Sequence, residues 1–314
     1  MITYQKLFNN PGKLLRLTGL NTVQFSLLAQ RLKPLWNNFE YKRLFRNNRK
    51  RAIGGGRKYR LETIEDKLVL ILLWYRTYAI FELLGLIFNL DATNIGRLIR
   101  KLIPLVEVAA DSNLKFFLKN INKGRKKIRT WEEFARAYPD LIEIIIDTTE
   151  QKRRRPTNKK KQKNFYSGKK HQHSFKTQIV VSRLGRILNV SKSYQGRIHD
   201  KTILIKEKTM DHIPKDIKKM VDRGYQKIDK EYPFHCIDIP IKRNRWKKKL
   251  LRSEKVYNTK LSKRRVIIEH VFSRMKKYKI LSDTYRSKEK EYNQHIKNIA
   301  ALCNFRLLFK ELHP

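Results

Sequence analysis

Three carboxylates sit among apolar residues in a way that suits metal-assisted phosphoryl chemistry. Asp147 closes the run Ile144-Ile145-Ile146, and Asp222 follows Met220-Val221 and opens the turn Asp222-Arg223-Gly224-Tyr225. Glu269 lies within Arg265-Val266-Ile267-Ile268-Glu269-His270-Val271-Phe272. These stretches read as two strands and a helix, and acids leaving two strand ends and one helix can converge on a pair of hard cations. Two such ions clamp the attacking and leaving oxygens of a phosphodiester during in-line displacement. At about 100° per residue, Arg265, Glu269 and Lys276 fall within roughly 40° of one another on a helix. Glu269 can then ligate metal while Arg265 and Lys276 approach phosphates. A single aspartate at a strand end is also a turn or cap residue, and Glu269 also suits an i,i+4 ion pair with Arg265. The order and setting of all three favour a site. Asp200, in Gly196-Arg197-Ile198-His199-Asp200, is the alternative second carboxylate; Asp222 is preferred because Asp200 also reads as a helix-starting residue.

The background is intensely basic. Lys and Arg number 73 against 28 Asp and Glu in 314 residues, a formal net charge of +45. Such an excess asks for a polyanion rather than a neutral metabolite. Ten of the cations lie between Gln151 and His173 with no acid among them, and twelve lie from Ile241 through Arg265 against Glu254 alone. Loops of this kind neutralise phosphates and make binding steeply salt dependent. Arg153, Arg154, Arg155 and Lys160 are the DNA-binding candidates in the first loop, and Trp246 and Lys247 in the second. Trp246 is placed to stack on an unpaired base, although a lone Trp among lysines is also a packing anchor. His171 and His173 have no third partner and read as DNA-facing or structural rather than metal-binding. No stretch reaches the ~18 apolar residues a membrane helix needs, and the start lacks the apolar region of a secretory signal. Cys236 and Cys303 form no ligand spacing and read as buried thiols in a reducing compartment. Double-stranded DNA is the expected partner, no membrane is expected, and the cytoplasm is the expected place.

Elements that would position these groups follow from periodicity. Residues 1–53 read as an amphipathic helical region ending near the break Gly54-Gly55-Gly56. Thr63 with Asp66 marks a helix start before the apolar run Leu68 to Trp74. A short helix over Ile80 to Phe88, the turn Asn89-Leu90-Asp91, and a helix from Ala92 to Ile103 ending before Pro104 suggest a helix-turn-helix within 54–115. Thr93, Asn94, Arg97, Arg100 and Lys101 would face DNA there, Arg and Asn being suited to bidentate contacts with guanine and adenine. From about residue 140 the period changes. Leu141 to Ile146 suits a buried strand, Phe175 to Ser182 and Ile187 to Tyr194 a hairpin turning at Leu184-Gly185-Arg186, and Ile217 to Val221 and Ile237 to Ile241 two further strands. Helices are expected from His199 to about Lys208, over 261–279 and over 292–309. That order predicts an α/β catalytic domain of ribonuclease H-like fold over 140–310, a mixed five-stranded sheet flanked by helices and preceded by the all-α region.

Ile146-Asp147-Thr148-Thr149-Glu150, Gly196-Arg197-Ile198-His199-Asp200, Val221-Asp222-Arg223-Gly224-Tyr225 and the segment around Glu269 resemble bacterial DDE transposases, nearest the insertion-sequence-five branch with its Harbinger relatives. The resemblance extends to Gly54-Gly55-Gly56-Arg57-Lys58 with the helices after it, and to Asn298-Ile299-Ala300-Ala301-Leu302-Cys303-Asn304-Phe305. It implies that Asp147, Asp222 and Glu269 are catalytic and hold two Mg²⁺ ions, with Mn²⁺ able to substitute. Arg265 and Lys276 match the Arg and Lys of a tyrosine–arginine–glutamate–lysine signature whose tyrosine falls at Ser262. It also implies binding of an element's terminal inverted repeats and target DNA, followed by cleavage and strand transfer, by a homodimer on the bacterial nucleoid. The rival expectations are a domesticated, catalytically silent DNA-binding protein and a metal-dependent nuclease sharing the core.

Overall fold

The computed structural model describes residues 2–47, 58–110, 136, 138–243 and 249–312, with side chains up to 307. The chain divides into two compact units. The first joins Met1–Ser112 with Lys276–Asp283 and Gln294–Pro314, and the second joins Asn113–Met275 with Thr284–Asn293. The boundaries expected at 53, 115 and 140 follow chain order, whereas both compact units are discontinuous.

The first unit is helical, with α1 (Tyr4–Phe8), α2 (Pro11–Thr18), α3 (Thr22–Leu44), α4 (Ile64–Thr77), α5 (Phe81–Phe88) and α6 (Ala92–Ala109). Thr63 caps α4 as its sequence suggests, accepting from the Asp66 amide at 3.1 Å. From Lys67 to Tyr75 every residue of α4 is buried, so this apolar run is the central helix of the unit. Its buried ammonium, Lys67, donates to the carbonyls of Leu61, Glu62 and Thr63 and lies over the rings of Trp36 and Tyr59. Helices α5 and α6 meet across three residues. The turn is tight because Gly85 leaves room for it: a Cβ there would stand 2.5 Å from the Leu90 carbonyl oxygen. The expected stop before Pro104 is overturned, since α6 runs on to Ala109 with Pro104 inside it. Pro104 is exposed, so the helical hydrogen bond it cannot make is lost on the solvent side, while Val106 and Ala109 continue the buried stripe.

The second unit is built on a mixed sheet of β1 (Glu143–Lys152), β2 (Tyr166–Ser167), β3 (Gln172–Ser182), β4 (Ile187–Gln195), β5 (Lys218–Val221) and β6 (Ile237–Asp238). Its order is β2-β3-β1-β5-β6, with β4 also on β3. Strand β1 pairs antiparallel with β3 and parallel with β5. The sixth strand, β2, is a two-residue addition to the five expected. Helices α7 (Lys159–Phe165), α8 (Asp200–Lys206), α9 (Ile228–Glu231), α10 (Arg252–Lys276) and α11 (Tyr292–Leu312) complete the chain. Ile144, Ile145 and Ile146 are all buried, as expected of a central strand covered on both faces. Ile144 and Ile146 join Val180, Leu188, Leu204, Met210, Val221 and Tyr225 in one core. Side chains alternate along a strand, so Ile145 and Asp147 take the opposite face. On α10 the buried residues are Leu261, Ile268, Val271 and Met275, a helical stripe. Among the described residues no helix is long and apolar enough to cross a membrane.

Candidate active site and nucleic-acid interface

Asp147 does not end its strand, as the apolar run suggested; β1 continues to Lys152 because Asp147 through Lys152 pair with Ile179 through Ser174 on β3. What ends is the parallel ladder to β5, whose last pair is Ile146 with Val221. Asp147 and Asp222 are therefore the next residues level with each other, where β1 and β5 part. Arg265 of α10 joins them: one guanidinium nitrogen donates to Asp222 Oδ1 at 2.9 Å and another to Asp147 Oδ2 at 3.1 Å. The Arg265 side chain is 12% exposed, and those of Asp147 and Asp222 are 19% and 34% exposed. Burial raises the Asp147 carboxyl to about 6, against the pull of Arg265 and of the Thr148 amide, and the charges of Asp222 and Asp200 raise it further.

Glu269 lies one turn beyond Arg265, is exposed, and makes no hydrogen bond or ion pair among the described residues. Arg265 is thus spent on the two aspartates rather than on an i,i+4 pair. Among the described residues no three His, Cys, Asp or Glu side chains stand close enough to hold a metal ion. The paired aspartates nevertheless fit a hard divalent cation, because they offer only carboxylate oxygens and a positive group, the Arg265 guanidinium, already lies between them. Lys276, the last residue of α10, is exposed.

Asp200 is the first residue of α8, and its side chain makes no cap; the N-cap is His199, which makes none either. The Asp200 carboxylate instead accepts from Lys176 Nζ at 3.2 Å. Lys176 also donates to the Ile198 carbonyl and stands 3.6 Å from Glu150, its direct cross-strand neighbour. Gly224 lies against Asp200, where a Cβ would come within 2.9 Å of Oδ2. Tyr225 is wholly buried and its hydroxyl has no hydrogen-bond partner among the described residues. Burial, then the charges of Asp147, Asp200 and Asp222, push that phenol far above its ordinary value. Periodicity gave no sign of either role, since Lys176 and Tyr225 owe their surroundings to residues distant in sequence.

The basic loops divide into engaged and open cations. Arg153 lies over the rings of Phe165 and Phe175, 4.0 and 4.7 Å from their centroids, and pairs with Glu289, so it braces the sheet edge. Arg154, Arg155 and Lys160 are exposed, Arg155 donating to Gln162. His171 is exposed, and His173 sets its ring edge-on to Tyr166. Trp246 and Lys247 lie outside the described residues. Cys303 is buried as expected, but Cys236 is exposed, because it borders the short edge strand β6.

In the first unit, Thr93, Asn94, Arg97 and Arg100 are exposed on α6. Arg97 reaches Asn94 at 3.4 Å, one turn earlier. Lys101 is held apart from them: its ammonium contacts the Tyr59 hydroxyl and stands 3.3 Å from Glu40.

Residues 146–304 match the family described as DDE superfamily endonuclease, and residues 59–111 match the helix-turn-helix of DDE superfamily endonuclease. The second match covers α4, α5 and α6. A curated relative, the probable transposase for insertion sequence element IS702 of Microchaete diplosiphon, is 30% identical over 259 residues. That alignment spans 81% of this chain and 84% of the relative. No solved structure matches the chain. With a family match over half its length and a relative aligned over most of it, the chain belongs to the DDE superfamily endonucleases, carrying that superfamily's helix-turn-helix ahead of its catalytic region.

Proposed function

We propose that this protein is the transposase of a bacterial insertion sequence, which binds the element's terminal repeats and cuts and rejoins DNA at Asp147, Asp222 and Glu269. The observation that carries the reading is the level placement of Asp147 and Asp222 where β1 and β5 part, bridged by Arg265. Asp147 and Asp222 would hold Mg²⁺, with Glu269 turning in from α10 as the third carboxylate. When bound, two such ions activate water or a DNA 3′-hydroxyl and stabilise the leaving oxygen. The chain's own contribution is orientation. The sheet fixes Asp147 and sets Asp222 directly after β5, Lys176 holds the neighbouring Asp200, and Arg265, were a divalent cation to take its place between the aspartates, would turn to a phosphate oxygen, with Lys276 as a second phosphate contact. Asp222 is preferred to Asp200 as the second ligand because it shares Arg265 with Asp147, level with it where β1 and β5 part, whereas Asp200 pairs with Lys176 instead.

The region 54–115 serves DNA recognition through Thr93, Asn94, Arg97 and Arg100, and 140–310 serves catalysis. The protein acts on double-stranded DNA in the bacterial cytoplasm and nucleoid, as a homodimer because two ends must be brought together. The test is Mg²⁺-dependent cleavage of a DNA fragment carrying the gene with its flanks. Defined cuts at the element ends should disappear in Asp147→Ala, Asp222→Ala and Glu269→Ala, each still binding DNA, and persist in Asp200→Ala. Loss in Asp200→Ala but not in Asp222→Ala reassigns the second ligand. End binding by the parent without any cutting leaves a silent DNA-binding protein.

A further inference from the structure

Beside the helix-turn-helix lies a cleft of about 750 Å³ whose cationic lining is Arg43 of α3, Lys58, Arg60, and Arg97, Arg100 and Lys101 of α6. Asp91 is the acid in that lining, and it is occupied in capping α6 through the Thr93 amide at 2.8 Å. A second observation shows that the wall is built rather than assembled from mobile side chains. Glu40, its side chain 13% exposed, accepts from Arg43 at 2.7 Å and from the Tyr59 hydroxyl at 2.8 Å, with Lys101 at 3.3 Å. Burial alone would raise this carboxyl, but the hydrogen bonds from Arg43 and Tyr59 and the charge of Lys101 hold it below its ordinary value. The Tyr59 ring carries Lys101 on its face, 4.8 Å from the centroid. One carboxylate therefore ties α3, the segment before α4, and α6 into a single surface. Arg43 gives two of its donors to Glu40 and a third to the Tyr59 hydroxyl, and a guanidinium has five, so it retains two for another acceptor.

We infer that this cleft is a binding site for the sugar–phosphate backbone of duplex DNA, flanking the groove that α6 reads. It makes α3 part of the DNA-binding surface. The inference rests on the reading of α5 and α6 as a DNA-binding helix-turn-helix and adds residues outside it. The chemistry is that of phosphate recognition: several cations in a fixed array, one of them a forked guanidinium, with little competing acid. Backbone contacts position without reading sequence, so Arg43 and Arg60 strengthen binding to all duplexes alike.

The test is fluorescence anisotropy of the full chain in EDTA with two duplexes, one of random sequence and one from the element's end, across a salt series. Arg43→Gln/Arg60→Gln is compared with Lys13→Gln/Lys33→Gln, which removes the same charge from exposed positions on α2 and α3. Each phosphate contact contributes about 0.9 to the slope of log affinity against log salt. The cleft variant should therefore flatten the slope by about 2 and bind both duplexes roughly 10- to 60-fold more weakly at 0.1 M salt, with their ratio unchanged. Equal losses in the cleft and control variants overturn the inference, because only net charge would then matter. A parent that ignores both duplexes overturns the DNA-binding reading itself, and the cleft with it.

Discussion

Replacing Asp147 by Asn should stabilise the metal-free protein at alkaline pH, at the expense of the chemistry. The Asp147 carboxyl stands at about 6 in the fold against 3.8 ordinarily, burial being the largest cause. Each tenfold change in proton affinity is worth about 1.4 kcal/mol, so holding Asp147 ionised at pH 8 costs the fold about 3 kcal/mol. The sign follows from the raised value: the folded state binds this proton more tightly than the unfolded chain does. Stability from this group is complete below about pH 4 and is lost as pH climbs to about 6. The amide keeps an acceptor for Arg265 and removes the charge. Urea unfolding in EDTA should therefore show Asp147→Asn more stable than the parent by about 1–3 kcal/mol at pH 8 and equal to it near pH 3. Millimolar Mg²⁺ should reverse the order at pH 8, raising the parent through binding to the folded state and leaving the variant unmoved. A variant that loses stability at pH 8, or differs from the parent equally at both pH values, would refute burial of an ionisable Asp147 as the governing effect.

Two further substitutions probe the supports. Arg265→Gln leaves two neighbouring carboxylates without their shared cation, and should lower stability in EDTA by about 1–3 kcal/mol. That loss should shrink when Mg²⁺ is added, and an equal loss with and without Mg²⁺ in urea titrations would show that Arg265 acts through packing alone. Gly85→Ala forces a methyl against the Leu90 carbonyl, 2.5 Å from the ideal Cβ position; it should cost about 1–3 kcal/mol and weaken duplex binding, while Asp147→Asn leaves duplex binding in EDTA unchanged.

The sequence was most legible where a feature is local. The buried run Ile144–Ile146, the hairpin at Leu184-Gly185-Arg186, and the start of α4 at Thr63 follow from strand alternation, turn chemistry and capping within a few residues. Errors came where distant chain decides. Pro104 reads as a stop until its solvent-facing position is known. Asp147 reads as a strand end until β3 is seen pairing with the residues beyond it. Asp200 reads as a cap until Lys176, 24 residues away in sequence, claims its carboxylate.

The same distinction separates the candidate carboxylates from their surroundings. Residue type and order single out Asp147, Asp222 and Glu269 as candidates, but which cation neutralises the first two depends on Arg265, 118 residues beyond Asp147. That bridge also bears on where the fold carries its strain. Around it lie an acid burdened by burial and a Tyr225 hydroxyl without a partner among the described residues, each costing on the order of 1–3 kcal/mol. Such costs persist where neighbouring structure can bear them, and here the bearers are the central strands β1 and β5 and the buried stripe of α10. The rigidity that tolerates an uncomfortable carboxylate also keeps it level with its neighbour, so stability lost at the junction of β1 and β5 is the counterpart of two carboxylates held side by side.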